Sequence, residues 1–522
     1  MSEDLLASVE QGYAFDGPAL ELGALVVDGT AHPEAAVRIP LAMVNRHGLV
    51  AGATGTGKTK TLQLMAEQLS TLGVPVFAAD IKGDLSGMAS PGEPGDKVAA
   101  RAKEVGQDWT ALACPTEFYA LGGEGRGIPL RATITSFGPT LLSKVLALND
   151  VQESSLGLVF HFADKAGLPM LDLKDLRAVV QFLVSDEGEE SLKGLGALSP
   201  ATAGVILREL IAFEDQGADA FFGEPEFDTA DLMRTTPEGQ GVVSLLELPQ
   251  LQDRPRLFST FLMWMLADLF HDLPEVGDVD KPKLVFFFDE AHLLFDDASK
   301  AFLEAIAQTV RLIRSKGIGV FFVTQTPKDV PGDVLAQLGN RVQHALRAFT
   351  PADAKALKAT VSTFPHSPYD LEEVLTQLGI GEAVITVLSD RGAPTPVAWT
   401  RLRAPQSRMA PTEDARIGEI VAASPLRAEY AEPIDRDSAY ERLAAKLAAP
   451  DPVAPAPTAG DPAPTETIPE PPAPSRTSRD EDSALEKAVR SPAAKQFARS
   501  AAAVLGREIT RSIFGTSRRR RR

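Results

Sequence analysis

Gly52, Ala53, Thr54, Gly55, Thr56, Gly57, Lys58, Thr59 and Lys60 form the stretch with the clearest chemistry, and all but the last spell the pattern G-x-x-x-x-G-K-[ST]. Glycines at these positions let backbone N–H groups turn inward around a polyphosphate without Cβ clashes. A helix starting here would aim its unsatisfied N–H groups and positive dipole end at the same phosphates. Lys58 can reach the β- and γ-phosphates, and the Thr59 hydroxyl can ligate Mg²⁺. Leu284-Val-Phe-Phe-Phe-Asp289-Glu290 is the second anchor. An apolar strand ending in two carboxylates suits triphosphate hydrolysis, with Asp289 holding Mg²⁺, often through water, and Glu290 drawing a proton from the attacking water. Gly319-Val-Phe-Phe-Val-Thr-Gln325 is the third: a polar side chain at the tip of a buried strand can sense a γ-phosphate and position water. The plainer role for Gln325 is a cap on the turn before Pro327.

Ring-forming ATPases complete such a site with an arginine from a neighbouring subunit. Arg341 and Arg347 frame the next strand, and Arg341 is the preferred candidate; Arg311, Arg314 and Lys316 cluster ahead of the Gln325 strand. Asp80, Lys82 and Asp84 follow another apolar run, where they would line the nucleotide or an inter-subunit edge, or form a simple loop. Asp289-Glu-Ala-His292 spells the signature of a helicase class with two ATPase domains per chain, but this chain has a single phosphate loop. His292 therefore reads as a polar residue at a helix start, with contact to the γ-phosphate region as the alternative.

These groups need a scaffold, and the flanking pattern supplies one. Leu49–Ala51 leads into the loop as a short strand; Leu62, Met65, Leu69 and Leu72 then recur at helical spacing until Gly73 and Pro75, and Val76–Asp80 is a second buried strand. Further strands are expected over Gly241–Glu247, Leu284–Phe288, Gly319–Thr324, Arg341–Leu346 and Ala383–Leu388, with helices between most of them. Near-continuous apolar strands alternating with helices predict an α/β fold, a mostly parallel sheet covered on both faces. Residues 1–45 are expected to add a lead-in strand or two. The ATPase core would span 46–405, with a mostly helical insertion at about 116–235. A helical extension (406–448), a Pro/Ala-rich linker without fixed structure (449–479) and a basic helical tail (480–522) would follow.

Length and composition, 522 residues with 44% hydrophobic and 24% charged, are those of a globular chain of two or three folded units. The net charge of −19 argues against a protein that coats nucleic acid over its whole surface. Eleven Lys or Arg against four Asp or Glu between Glu481 and Arg522 put +7 on the tail and −26 on the rest, so contact with a polyanion must be local. Met1-Ser-Glu-Asp-Leu-Leu lacks a secretory pattern, the apolar run Phe258–Leu269 is too short to span a bilayer, and Cys114 is the single cysteine. A cytoplasmic location is expected.

Several long motifs in order resemble the HerA/FtsK superfamily of P-loop ATPases. They are Gly52–Thr59, Asp80-Ile-Lys-Gly-Asp-Leu-Ser-Gly87, Phe286–Leu294 and Val310–Pro327. With Leu338–Thr350 and Gly506–Gly515 they look specifically like its bacterial HerA-like, YjgR-type branch. The resemblance implies a RecA-like core, a hexameric ring, and ATP-driven movement along double-stranded DNA, as a translocase or helicase-like protein. Two other functions fit the residues: an ATPase that remodels or moves a protein partner, and a nucleotide-gated scaffold.

Overall fold

The computed structural model describes residues 2–122, 125–248, 255–296 and 298–448. The expected linker (449–479) and basic tail (480–522) lie outside the described residues. Twelve strands form one sheet: β1 (Ala19–Val27), β2 (Thr30–Pro40), β3 (Gly48–Ala51), β4 (Val76–Asp80), β5 (Thr116–Leu121), β6 (Ile128–Leu130), β7 (Val243–Glu247), β8 (Leu284–Phe288), β9 (Ile318–Thr324), β10 (Asn340–Gln343), β11 (Glu382–Thr386) and β12 (Ala398–Leu402). Their order is β2-β1-β12-β11-β10-β3-β9-β8-β4-β7-β5-β6. From β10 to β6 every neighbouring pair is parallel, and from β10 to β2 every pair is antiparallel.

Alternation along the strands explains why both faces are covered. On β8, Leu284, Phe286 and Phe288 enter one core, and Val285 and Phe287 enter the core on the opposite face. The helix after the phosphate loop, Lys58–Thr71, buries Leu62, Met65, Ala66 and Leu69 in the second of these. The first receives the helix Pro255–Asp272, the helix Lys300–Ile313 and the helical block that follows β6. In that block Asn149 and Asp172 each close a reciprocal capping box, which fixes the starts of Asp150–Ala166 and Leu173–Leu183. The sheet therefore has helices on both faces, as the sequence pattern predicts.

Three strands escape the sequence pattern. β5 and β6 fall within residues 116–235, where helix dominates the prediction, and extend the parallel side; β12 lies outside the expected strands and links β1 to β11. The lead-in strands are β1 and β2, in the same sheet. Beyond β12 the chain crosses the outside of the Lys58–Thr71 helix as a strap. Gln406 N and Ser407 N donate to the buried Glu67 carboxylate at 2.7 and 3.0 Å, Arg408 N donates to Ser90 O at 3.0 Å, and Thr412 N donates to Ser86 Oγ at 3.1 Å. The extension ends in the helix Ala439–Ala448, packed on the helical block where Tyr440 N donates to Asp175 Oδ1 at 2.8 Å.

Candidate nucleotide site

β3, buried throughout, delivers Gly52 to the carboxyl edge of the sheet. There the loop is moored on both sides: Gly52 N donates to Thr324 O at 3.2 Å, and Ala53 N to Ala345 O at 2.8 Å. Gly55 and Gly57 take φ of +79° and +112°, which side chains resist. At Gly52 a Cβ would come within 2.4 Å of His344 Cβ. Gly57 starts the helix with no side-chain cap, leaving the first N–H groups to the loop's interior. A polyphosphate fits this cradle: the positions that must lack a Cβ lack one, and the donors are not used by side chains.

Lys58 is buried and its ammonium donates to Ala53 O at 3.3 Å. Burial lowers its pKa, opposed by the carboxylates of Glu290 and Asp289. Lys58 and the acidic pair thus share one cleft although β9 runs between their strands. Asp289 is buried, and burial, then the neighbouring Glu290, push its pKa up to about 6. Glu290 stands in the left-handed region (φ +48°), a conformation that costs an ordinary residue about 1–2 kcal/mol and turns its side chain out of the strand's line. One carboxylate oxygen, Oε1, is paired with the Lys82 ammonium. The other, Oε2, is buried without a hydrogen bond, 3.3 Å from His292 Nδ1. Burial would raise the Glu290 pKa, but Lys82, with His292 and Lys58, outweighs it and the net shift is downward.

Gln325 lies just past β9, exposed, on a cavity of about 320 Å³ that also touches Ala53, Thr54, Arg347, Phe349 and Asp353. It therefore shares that cavity with the first half of the phosphate loop. Thr59, the second residue of the helix, is half-buried, while the Lys60 ammonium is turned away to the strap, on Met409 O at 2.5 Å. Arg341 is not brought into the cleft: it sits near the amino end of β10, opposite Leu49, and its guanidinium donates to the carbonyl and hydroxyl of Thr363. Any finger role would be played on another copy.

Two parts of the site go beyond the sequence assignments. Asp80, at the end of β4, spends its carboxylate on the next turn, accepting Gly83 N at 2.7 Å, Asp84 N at 3.1 Å and Leu85 N at 2.8 Å. It is a loop builder, and burial pushes its pKa up to about 7. That turn presents Lys82, whose bond to Glu290 follows from β4 lying beside β8. His344, buried under the loop, sets Nε2 2.9 Å from Thr61 Oγ1. The signal for Lys82 was present in Asp80-Ile-Lys-Gly-Asp, a polar turn closing an apolar strand; nothing local marks His344.

The family described as Helicase HerA-like C-terminal matches residues 26–522. The chain is 20% identical over 376 residues to the DNA double-strand break repair helicase HerA of Saccharolobus solfataricus, covering 72% of this chain and 67% of that protein. It is 29% identical over 153 residues to the probable helicase MJECL08 of Methanocaldococcus jannaschii, covering 27% and 28%. The plasmid coupling protein TrwB in complex with ADP and Mg²⁺ superposes with a TM-score of 0.51 at 17% identity, over 77% of this chain and 98% of that one. This last likeness is one of fold, that of a P-loop nucleoside triphosphatase. The family match is to the HerA-like family as a whole and does not single out the YjgR-type branch.

Proposed function

The chain belongs to the HerA-like C-terminal helicase family of P-loop ATPases, and from that premise we propose that it is a Mg²⁺-dependent ATPase motor that moves along double-stranded DNA as a homo-oligomeric, hexameric ring. The observation that carries the proposal is the placement of Lys58, just past β3, and of Asp289 and Glu290, just past β8, at one carboxyl edge of the parallel sheet with only β9 between the two strands. In this reading the loop Gly52–Lys60, through the amides not spent on its mooring, and the Lys58 ammonium bind the phosphates, and Glu290 takes the proton of the attacking water. Gln325 orients that water. Thr59 and Asp289 would hold Mg²⁺, which when bound neutralises charge on the phosphate oxygens. An arginine of the adjoining copy, Arg341 or the exposed Arg347, would offset the charge that develops during transfer. We also propose the domain division read from the sequence, with one ATPase core over 46–405, and a cytoplasmic location. Among the described residues no helix is long and apolar enough to cross a membrane.

DNA as the track is supported by the likeness to the archaeal relative, a DNA double-strand break repair helicase. The net charge of −19 favours the second reading, a motor acting on a protein partner. ATP turnover of the full chain with and without duplex DNA separates the two. Stimulation of severalfold at low salt, fading as salt rises, is the expected outcome, because phosphate contacts release counterions. Turnover indifferent to DNA at every salt concentration would favour the protein partner.

A further inference from the structure

Lys82 has no role in the hydrolysis outlined above, yet it touches the carboxylate on which that hydrolysis turns. Its ammonium pairs with Oε1 of Glu290, and the two side chains differ sharply in setting: that of Lys82 is 44% exposed and that of Glu290 7%. The backbone beneath Lys82 is held, because Asp80 accepts three successive N–H groups of the turn and Gly83 takes φ +76°. Only the lysine's flexible stem is left to move. Meanwhile an oxygen paired with an ammonium is a poorer acceptor for a proton from water, and the other oxygen, Oε2, is buried facing His292. Glu290 as observed is a hindered base.

Lys58 follows β3 and Lys82 follows β4, at the same carboxyl edge of the parallel sheet with β9 and β8 between them. Under the nucleotide reading above, on which this step rests, the phosphate attacked by Glu290's water is the terminal one. It lies where Lys58 and Glu290 converge. A phosphate oxygen there offers Lys82 an anion equivalent to the one it holds. Being half exposed, the ammonium is already partly hydrated, so exchanging partners adds little desolvation.

We infer that Lys82 has two alternating partners, Glu290 as seen here and the terminal phosphate of a bound nucleoside triphosphate. The exchange frees Glu290 Oε1 for water only when a third phosphate is present. Lys82 is thereby the residue that distinguishes triphosphate from diphosphate. A diphosphate leaves it on Glu290 and the base stays hindered.

The test is equilibrium binding of ADP and of the imido-bridged, non-hydrolysable ATP analogue to the full chain with Mg²⁺. Lys82→Ala is expected to weaken the analogue about tenfold while ADP changes less than about twofold, the size of one lost charge-assisted contact. Lys82→Arg, which keeps a cation, is expected to restore most of the analogue's affinity. Unchanged ADP binding also shows that the variant is folded. Equal weakening of both nucleotides, or of neither, overturns the inference. Lys58→Ala separates this from the underlying reading: if it leaves both nucleotides bound as in the parent chain, the assignment of the site itself fails.

Discussion

On the β10 side of the phosphate loop the ties are neutral; on the side of β8 and β4 they are between charges. On the first, His344 N donates to Ala51 O at 2.7 Å, His344 Nε2 meets Thr61 Oγ1 at 2.9 Å, and Gln343 Nε2 donates to Ala51 O at 3.1 Å. Every one of these residues is buried. On the second, Lys82 meets Glu290, and Asp289 stands beside them. A neutral buried tie gains nothing by changing partner, since breaking it strands a donor or acceptor at about 1–3 kcal/mol. An ion pair with one end in water can trade one anion for another. The difference assigns the β10 flank to holding the loop's shape and the β8 flank to answering the ligand.

The sharpest way to break this contrast is on the charged side. Glu290→Gln is expected to lower kcat by about 10²–10⁴ while nucleotide still binds, the range for loss of a general base. Steady-state turnover beside equilibrium binding reads both, and a variant that turns over normally would remove the β8 flank from the chemistry. On the neutral side the effect is on stability. Burial, reinforced by the charge of Lys58, holds His344 uncharged, its pKa down to about 4 from the usual 6.5. Between those values the unfolded chain takes up a proton that the folded chain refuses. The stabilisation is therefore whole above about pH 6.5 and is lost as the pH falls toward 4, by up to about 3 kcal/mol. His344→Gln should flatten that part of the curve, measured as unfolding free energy in denaturant at several pH values. Identical slopes in both chains would show that His344 is not the group responsible. The smallest expected effect is at the mooring itself. Gly52→Ala sets a methyl 2.4 Å from His344 Cβ and should cost about 1–3 kcal/mol, read as a lower denaturation midpoint. A neutral result there would mean that the β10 flank yields, against the role given to it.

Much of this scaffold was legible in the sequence, for physical reasons that also explain the gaps. β4 and β8 are uninterrupted apolar runs with polar ends, and both fall on the expected residues, Val76–Asp80 and Leu284–Phe288. β5 is disguised by Glu117, a buried carboxylate that an arginine far along the chain, Arg234, meets at 2.9 Å. β6 has three residues with a proline in the middle, tolerable only because it is an edge strand. In β12 the alternation is inverted to the eye: Thr400 points into the core while Trp399 lies half-buried with its Nε1 on Glu382. The helix Asp96–Glu104 buries only Ala102, so it leaves no apolar stripe to find. In the site, the phosphate loop and the acidic pair are contiguous motifs and could be read directly. The partner of Lys82 is 208 residues away, and only the adjacency of β4 and β8 selects it.

The strap beyond β12 has a mechanical consequence. Glu67 on the helix that opens with Lys58, and Ser86 and Ser90 on the segment that follows Lys82, are fastened to the same few residues, Gln406 to Thr412. Helix and segment are splinted together like two bones under one plate, so neither backbone can drift without dragging the other. Travel at this end of the sheet is left to the tips of side chains, and any larger displacement must carry helix, segment and the C-terminal extension as one piece.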